Sequence, residues 1–169
     1  MMFYPTYHFR SVCDISPEFL LEKGLRRLVL DVDNTLTTHN HPQPGKGVAR
    51  WLKQLQESGI SVIILSNNDT KRVEPFAALL DLPFEADGAK PLTSGYERCR
   101  RRFGCEKREM AAIGDQLLTD IWGGWRYGIA TLLVDPIEPE VGWFFRLKRA
   151  LERQMMKSYH RKGRAQYER

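Results

Sequence analysis

Short apolar runs alternate with segments of helical periodicity along this chain. The apolar runs predict strands at residues 28–30, 61–65, 84–86, 110–113 and 130–134. Between them, apolar residues recur every three or four positions, as from Val48 to Leu55, and this spacing is typical of helices with one buried face. Such alternation predicts βαβ units, and hence a mostly parallel sheet with helices on both sides.

Local signals predict the helix boundaries. Ser16 and Pro17 begin a short helix that ends at Gly24. Further helices are predicted at residues 48–57, 73–80, 92–103, 117–127 and 143–159. We expect Gly123 and Gly124 to weaken the second half of the helix over 117–127, because glycine disfavours helix interiors.

Composition limits the class of protein. The 169 residues are 42% hydrophobic and 28% charged, which is typical of one soluble globular domain. No apolar run approaches the roughly 20 residues that span a bilayer, and the N-terminus lacks the apolar core of a signal peptide, so we expect a cytoplasmic protein. Cys13, Cys99 and Cys105 form no CxxC pair, which disfavours a disulfide framework or zinc site and fits a reducing compartment.

The positive charge is concentrated near the C-terminus. Residues 146–169 hold nine Lys or Arg and two Glu, a net charge of +7, so the other 145 residues carry −2 of the overall +5. One apolar face of the predicted helix would carry Phe144, Leu147, Leu151 and Met155. We favour a helix packed on the sheet with a solvated basic face. The alternatives are docking on an anionic membrane surface, with peripheral attachment, and then contact with nucleic acid.

Polar residues follow four of the predicted strands. They are Asp31 and Asp33 after the first, Ser66 and Asn67 after the second, Lys90 after the third, and Asp115 after the fourth, with Asp120 five residues on. In open α/β sheets ligands bind at the carboxyl ends of the strands, so we expect the fold to bring these residues to one rim.

These residue types indicate a particular chemistry. Carboxylates at close range repel one another, so a cation is expected among them, and oxygen ligands without His or Cys favour Mg²⁺ over zinc. A carboxylate can attack phosphorus, and of Asp31 and Asp33 one can attack while the other handles protons. Ser66 and Lys90 can hold the phosphoryl oxygens and offset their charge.

The same residues carry a resemblance to a known family. Asp31-Val32-Asp33-Asn34-Thr35 resembles the DxDxT signature of the haloacid dehalogenase (HAD) superfamily, and Ser66, Lys90 and the segment from Gly114 to Asp120 match its next three motifs in order. The motif sequences DVDNT, SNN, AKP and GDQLLTD most resemble those of the YqeG-type branch of the subfamily IIIA phosphatases. That branch is similar to phosphatidylglycerophosphate phosphatases. The resemblance covers residues 28–135 and implies a three-layer Rossmann-like HAD fold.

The resemblance implies roles for the acidic residues. Asp31 would be the nucleophile, and Asp33 would protonate the leaving oxygen and then activate water. Asp31, the main-chain carbonyl of Asp33, and Asp115 would hold Mg²⁺. Asp120 would support the metal from behind or bind it through water.

The resemblance also implies a phosphate-binding set. Ser66 and Lys90 would bind the phosphate, with Asn67 nearby. Thr35 would brace the loop of the first motif and completes the predicted substrate-binding residues. His39 and His41 in the following loop are interpreted as solvated residues, and Cys99 and Cys105 as structural or incidental ones.

The spacing of the motifs predicts that the enzyme has no cap domain. HAD enzymes carry caps after the first motif or between the second and third. Residues 37–47 leave room only for a flap, and Ser66 and Lys90 are 24 residues apart, enough for one helix and one strand. We therefore predict an N-terminal extension over 1–27 packed on the core, a HAD phosphatase core over 28–141, and a basic amphipathic helix and tail over 142–169.

The function predicted from the sequence is a Mg²⁺-dependent phosphomonoester hydrolase that acts through an aspartyl-phosphate. An open site suits phosphatidylglycerophosphate or another bulky phosphate ester, although small uncapped relatives also act on sugar phosphates. The alternatives are a polynucleotide-end phosphatase or RNA-associated factor, and a non-catalytic regulatory binder, which the intact acid set disfavours. No oligomeric state is predicted.

Overall fold

A computed structural model describes residues 4–39 and 41–138 of the chain. The strands are β1 (Tyr7–Phe9), β2 (Arg27–Leu30), β3 (Ser61–Leu65), β4 (Phe84–Glu85), β5 (Met110–Gly114) and β6 (Ala130–Val134). They form one sheet in the order β1-β6-β5-β2-β3-β4, and every neighbouring pair is parallel. The predicted parallel α/β fold is confirmed.

Helices cover both faces of this sheet. They are α1 (Pro17–Glu22), α2 (Val48–Glu57), α3 (Thr70–Leu79), α4 (Ser94–Phe103) and α5 (Trp122–Tyr127). Successive strand residues point to opposite faces, so Leu28 packs in one core with α1, α2 and α3, whereas Val29 packs in a second core with α4 and α5. This arrangement makes the three layers and explains why the strands are apolar throughout.

The strand β1 was not predicted, because three residues with the sequence Tyr-His-Phe carry no periodic signal. It pairs with β6 at one edge of the sheet. Phe9 is buried and meets the ring of Phe19 edge-on, with 5.2 Å between the ring centres. The predicted start of α1 is confirmed, since the Ser16 hydroxyl accepts a hydrogen bond from the main-chain N–H of Phe19 over 3.1 Å.

The segment after β5 differs from the prediction of a single helix with a weak second half. Residues Leu117–Ile121 form a π-helix, and the regular helix α5 follows it. Gly123 and Gly124 lie inside α5 because they pack tightly: a Cβ at Gly123 would lie 2.8 Å from Tyr96 Cε2, and one at Gly124 would lie 2.7 Å from Thr131 Cγ2. The helix therefore continues through both glycines, where close contact with α4 and β6 leaves no room for a side chain, and the energetic weakening stays a prediction.

The two positions where a cap domain would be inserted hold only short segments. Only ten residues separate Thr37 from the start of α2, and α3 with β4 lies between Ser66 and Lys90. Within residues 4–39 and 41–138, no helix has the length and apolar character needed to cross a bilayer. The predicted helix over 143–159 and the basic tail lie outside the described residues.

Candidate active site

The candidate site lies where the chain changes direction across the sheet. From β2 the chain proceeds through β3 to β4 on one side, and then crosses to β5 and β6 on the other. Asp31 directly follows β2, and Asp115 directly follows its neighbour β5. Ligand sites of open α/β sheets form at such switch points, so the topology alone brings these two carboxylates together.

Lys90 lies in the middle of this site. Its ammonium nitrogen is 2.6 Å from Asp31 Oδ1 and 2.6 Å from Asp120 Oδ1. The Lys90 side chain is only 4% exposed, so these contacts occur out of bulk water. The carboxylates follow different strands, which explains why three separate motifs of the sequence meet at one ammonium group.

Burial and the neighbouring charges shift the pKa values of Asp31 and Lys90. Burial raises the pKa of Asp31 to about 7, and repulsion from Asp120 and Asp33 acts in the same direction, although the Lys90 ammonium opposes both. Burial lowers the pKa of Lys90, but the two carboxylates outweigh it and hold that pKa above its ordinary value. Lys90 therefore stays protonated at neutral pH.

Three carboxylates form an acidic cluster around this point. Asp31, Asp115 and Asp120 each place one oxygen so that these atoms all lie within 4.8 Å of one another. Asp115 and Asp120 are buried. The cluster brings three carboxyl groups around the single ammonium of Lys90, so a further cation is expected among them. Its all-oxygen donor set fits a hard divalent cation such as Mg²⁺.

The position of Asp120 depends on a glycine and on main-chain contacts. A Cβ at Gly114 would overlap Asp120 Cγ, so a residue with a side chain there would displace the carboxylate. Asp120 Oδ2 accepts a hydrogen bond from the main-chain N–H of Gln116 over 3.2 Å. The buried Tyr96 hydroxyl donates to the Asp120 carbonyl over 3.0 Å. Gly114 and Tyr96 thus fix a carboxylate that faces Lys90.

The Asp33 carboxylate contacts side chains at and just before the start of α3. Its Oδ1 accepts a hydrogen bond from Arg72 Nη2 over 3.0 Å, and its Oδ2 accepts one from Asn68 Nδ2 over 2.6 Å. Neither partner was predicted from the sequence as a site residue. Asn68 belongs to the SNN string, and that string was the one signal that could have indicated it.

The predicted phosphate-binding residues lie in different environments. Ser66 is buried, and its hydroxyl accepts from the main-chain N–H of Asn68 over 3.1 Å, which leaves the hydroxyl proton to donate to a ligand. The side-chain amide of Asn67 makes two hydrogen bonds to the main chain of Lys90, over 2.7 and 3.0 Å. Thr35 is buried, and its hydroxyl has no hydrogen-bond partner within the described ranges.

A tight loop carries the first motif. Asn34 adopts a left-handed conformation with φ of 60°, which asparagine tolerates better than most residues. Its main-chain N–H donates to Thr37 O over 2.6 Å. Ile137 N donates to Asn34 O over 3.2 Å, and Glu138 N donates to Asn34 Oδ1 over 3.3 Å. The chain that follows β6 therefore braces the loop between Asp33 and Thr35.

The remaining candidate residues lie apart from this set. His39 is exposed, and the His41 ring stays within its own loop, where Nδ1 lies 3.2 Å from the main chain of Gln43. Burial raises the pKa of Cys99 to about 12, so that thiol is protonated and unreactive at neutral pH. Cys105 is also buried.

Comparisons with known proteins agree with this geometry. The model of the family described as haloacid dehalogenase-like hydrolase matches residues 40–126. The chain is 36% identical over 166 residues to "Probable phosphatase YqeG" of Bacillus subtilis (strain 168), covering 98% of this chain and 96% of that protein.

A more distant plant relative and a solved bacterial structure also match this chain. Identity is 27% to "Phosphatidylglycerophosphate phosphatase 1, chloroplastic/mitochondrial" of Arabidopsis thaliana, over 86% of this chain but only 45% of the plant protein. The crystal structure of an uncharacterized protein from Listeria monocytogenes serotype 4b shares the fold, with a TM-score of 0.56 at 18% identity, and the match covers 79% of this chain and 99% of that one.

This chain therefore belongs to the haloacid dehalogenase-like hydrolases, and it is an enzyme of the phosphatase class. Within that family it is similar to the YqeG-type phosphatases, as the wording of its motifs predicted. The non-catalytic alternative is thereby set aside.

Proposed function

We propose that this enzyme hydrolyses phosphate monoesters through a covalent phosphate on Asp31, with Mg²⁺ as its cofactor. The observation that carries the proposal is the pair of 2.6 Å contacts from the Lys90 ammonium to Asp31 and Asp120, beside Asp115, at the carboxyl edge of the sheet. This arrangement combines a buried carboxylate with the positive charge that an incoming phosphoryl group needs.

The residues divide the reaction between them. Asp31 attacks phosphorus, and Lys90 and the Ser66 hydroxyl offset the charge on the phosphoryl oxygens. Asp33 gives a proton to the leaving oxygen, and its carboxylate then takes a proton from the water that attacks the aspartyl-phosphate. The Asp31 carboxylate is released together with inorganic phosphate, so atoms and charge balance over the two steps.

The acidic cluster would hold the cofactor. Asp31, Asp115 and the main-chain carbonyl of Asp33 are the proposed ligands, with Asp120 behind them. A divalent cation there would supply charge neutralisation, which lets the phosphate dianion approach a cluster of carboxylates. The excess of carboxylates over ammonium groups in the cluster supports this assignment.

The substrate we propose is a bulky phosphate ester, with the terminal phosphate of phosphatidylglycerophosphate as the first choice. Two observations support it: the segments where a cap would lie are short, and the plant relative carries that substrate in its name. Attachment to a membrane through the basic segment at residues 146–169 stays a prediction, because that segment lies outside the described residues.

The polynucleotide alternative gains no support from α4. The four arginines on that helix form ion pairs with carboxylates. Arg98 and Arg102 pair with Glu85. Arg100 and Arg101 pair with Glu97. Partly neutralised arginines are a poor track for a phosphate backbone.

A substrate screen tests the proposal. The purified enzyme would be assayed with Mg²⁺ against phospholipid, nucleotide, sugar and polynucleotide phosphates, and the Asp31→Asn variant would serve as the blank. We expect release of inorganic phosphate from the lipid ester and none from the variant. Equal release by both proteins would contradict the assignment of Asp31 as the nucleophile. A preference for polynucleotide ends would contradict the lipid substrate and favour the polynucleotide alternative.

A further inference from the structure

Asp33 accepts a hydrogen bond on each of its carboxylate oxygens, one from a side chain in the first turn of α3 and one from a side chain just before that helix. Oδ1 receives Arg72 Nη2 at 3.0 Å, and Oδ2 receives Asn68 Nδ2 at 2.6 Å. Asp33 is 14% exposed and Arg72 is 24% exposed at the side chain, so the contacts lie at the partly open edge of the site. Two donors on two oxygens fix the plane of the carboxyl group as well as its position.

Both donors are themselves placed by the local structure. The Asp69 side chain caps α3 by accepting from the main-chain N–H of Arg72 over 3.0 Å, which sets the first turn and the point where the guanidinium leaves the helix. The Asn68 main-chain N–H donates to the Ser66 hydroxyl over 3.1 Å. Asn68 therefore links the proposed phosphate-binding hydroxyl to the proposed proton donor.

Arg72 has one ion-pair partner among the residues that the structure describes, and that partner is Asp33. Its neighbour Lys71 is exposed on the same turn and forms no ion pair within the same ranges. The two side chains differ in that only Arg72 contacts Asp33, which makes Lys71 a control of equal charge.

We propose that Arg72 and Asn68 are positioning residues that aim the Asp33 carboxyl at the leaving oxygen of the substrate. This inference rests on the proposed function, because it assigns them to the step in which Asp33 donates a proton. As that proton leaves, Asp33 becomes a carboxylate, and the two donors already face the oxygens on which the charge develops. The transfer then requires little rearrangement.

A positioning role predicts dependence on the leaving group. An alkyl phosphate loses a basic alkoxide and needs the proton, whereas p-nitrophenyl phosphate loses a stable phenolate and needs it little. The quantity to compare is kcat/KM, which reports the first phosphoryl transfer. We expect Arg72→Gln to lower kcat/KM by about ten- to a hundredfold for glycerol 3-phosphate, since general acids contribute roughly 10²–10⁴-fold. For p-nitrophenyl phosphate we expect a loss below about threefold, because little acid assistance is at stake there.

Matched variants separate positioning from other roles. Lys71→Gln should leave both substrates unchanged, and Arg72→Lys should recover part of the alkyl activity. Asp33→Asn should show the same selective loss, and adding Arg72→Gln to it should lower alkyl kcat/KM by less than about twofold further, because the two residues would act through one group.

Several results would overturn the inference. Equal losses on both substrates with a lower melting temperature would show that Arg72 only stabilises α3, and a rise in KM on both substrates with kcat unchanged would make it a substrate-binding residue. Full additivity with Asp33→Asn would also contradict it. The proposed function fails separately, if the wild-type enzyme releases phosphate from no ester of the substrate screen or if Asp31→Asn is fully active.

Discussion

The side-chain amide of Asn67 makes two hydrogen bonds to the main chain of Lys90. Lys90 N donates to Asn67 Oδ1 over 2.7 Å, and Asn67 Nδ2 donates to Lys90 O over 3.0 Å. Residue 67 follows β3 and residue 90 follows β4, so this amide joins two loops of the site. It holds the main chain of the residue whose ammonium lies between Asp31 and Asp120. Direct contact of Asn67 with substrate stays a prediction.

Asn67→Ala should therefore impair catalysis through Lys90. Removing two hydrogen bonds costs about 1–3 kcal/mol, and each 1.4 kcal/mol of lost transition-state stabilisation is about tenfold in rate. We expect kcat/KM to fall by about ten- to a hundredfold. The loss should be similar in Asn67→Asp, which keeps the acceptor but repels the Lys90 carbonyl. Gln56→Ala removes an exposed amide near the end of α2 and should have no effect. Unchanged kinetics in Asn67→Ala would show that Lys90 needs no such support.

Mg²⁺ should stabilise the protein against heat through the acidic cluster. A ligand that binds the folded state at 100 times its Kd adds about 2.7 kcal/mol to the free energy of unfolding. Asp115→Ala should abolish the rise in melting temperature that Mg²⁺ produces. Asp120→Ala should only reduce the rise, because Asp120 contacts Lys90 and would lie behind the metal. Glu74→Ala, which removes an exposed carboxylate on α3, serves as the control. Equal losses in the two cluster variants would make Asp120 a direct ligand.

Without metal, stability should fall as the pH rises toward neutrality. Burial raises the pKa of Asp31 to about 7, whereas the unfolded chain releases that proton near pH 4, so between these values the folded state binds more protons than the unfolded state. The free energy of unfolding then decreases with rising pH over this window. Urea unfolding in the presence of EDTA, from pH 4 to pH 8, measures this change in the free energy of unfolding.

The Asp31→Asn variant isolates that contribution. Between pH 4 and pH 7, the free energy of unfolding of this variant should change less with pH than that of the wild type. The Glu74→Gln variant should follow the wild type. Parallel curves for the wild type and Asp31→Asn would mean that the folded Asp31 carboxyl titrates near its ordinary pKa.

Gly114→Ala should damage the site from within the sheet. The added methyl group would overlap Asp120 Cγ, and such overpacking costs about 1–3 kcal/mol. We expect a lower melting temperature together with weaker Mg²⁺ binding, because Asp120 must move. Gly104→Ala provides the comparison: it is strained by the left-handed conformation at the end of α4, where φ is 62°, but it has open space around it. That variant should lose stability without any change in Mg²⁺ affinity, and a parallel loss of affinity would argue against a local effect at Asp120.

Most of the sheet was predictable, because five of its six strands lie in apolar runs that can be recognised from the sequence alone. The apolar run at β3 and the helical spacing of α2 required no knowledge of the rest of the chain. The edge strand β1 was missed because its three residues acquire their conformation only by pairing with β6. The π-helix at Leu117–Ile121 and the tight packing of Gly123 depend on neighbours distant in the sequence, and no periodicity reports such contacts.

The site was partly predictable for the same reason. Strand ends indicated Asp31, Lys90 and Asp115, because the fold brings the ends of parallel strands together. The partners of Asp33 were not predictable, since the direction in which its side chain points depends on the angle at which α3 begins. Asn67 was expected near the phosphate, and only the structure reveals that its amide bonds to Lys90.

Trapping a phosphoryl analogue on the enzyme tests the central claim most directly. Beryllium fluoride forms a tetrahedral BeF₃⁻ adduct on an aspartate that accepts phosphate, and a crystal structure of the enzyme soaked with BeF₃⁻ and Mg²⁺ would identify the carboxylate. We expect a single adduct on an Asp31 oxygen, within reach of the Lys90 ammonium and the Ser66 hydroxyl. An adduct on Asp33, Asp115 or Asp120 would contradict it.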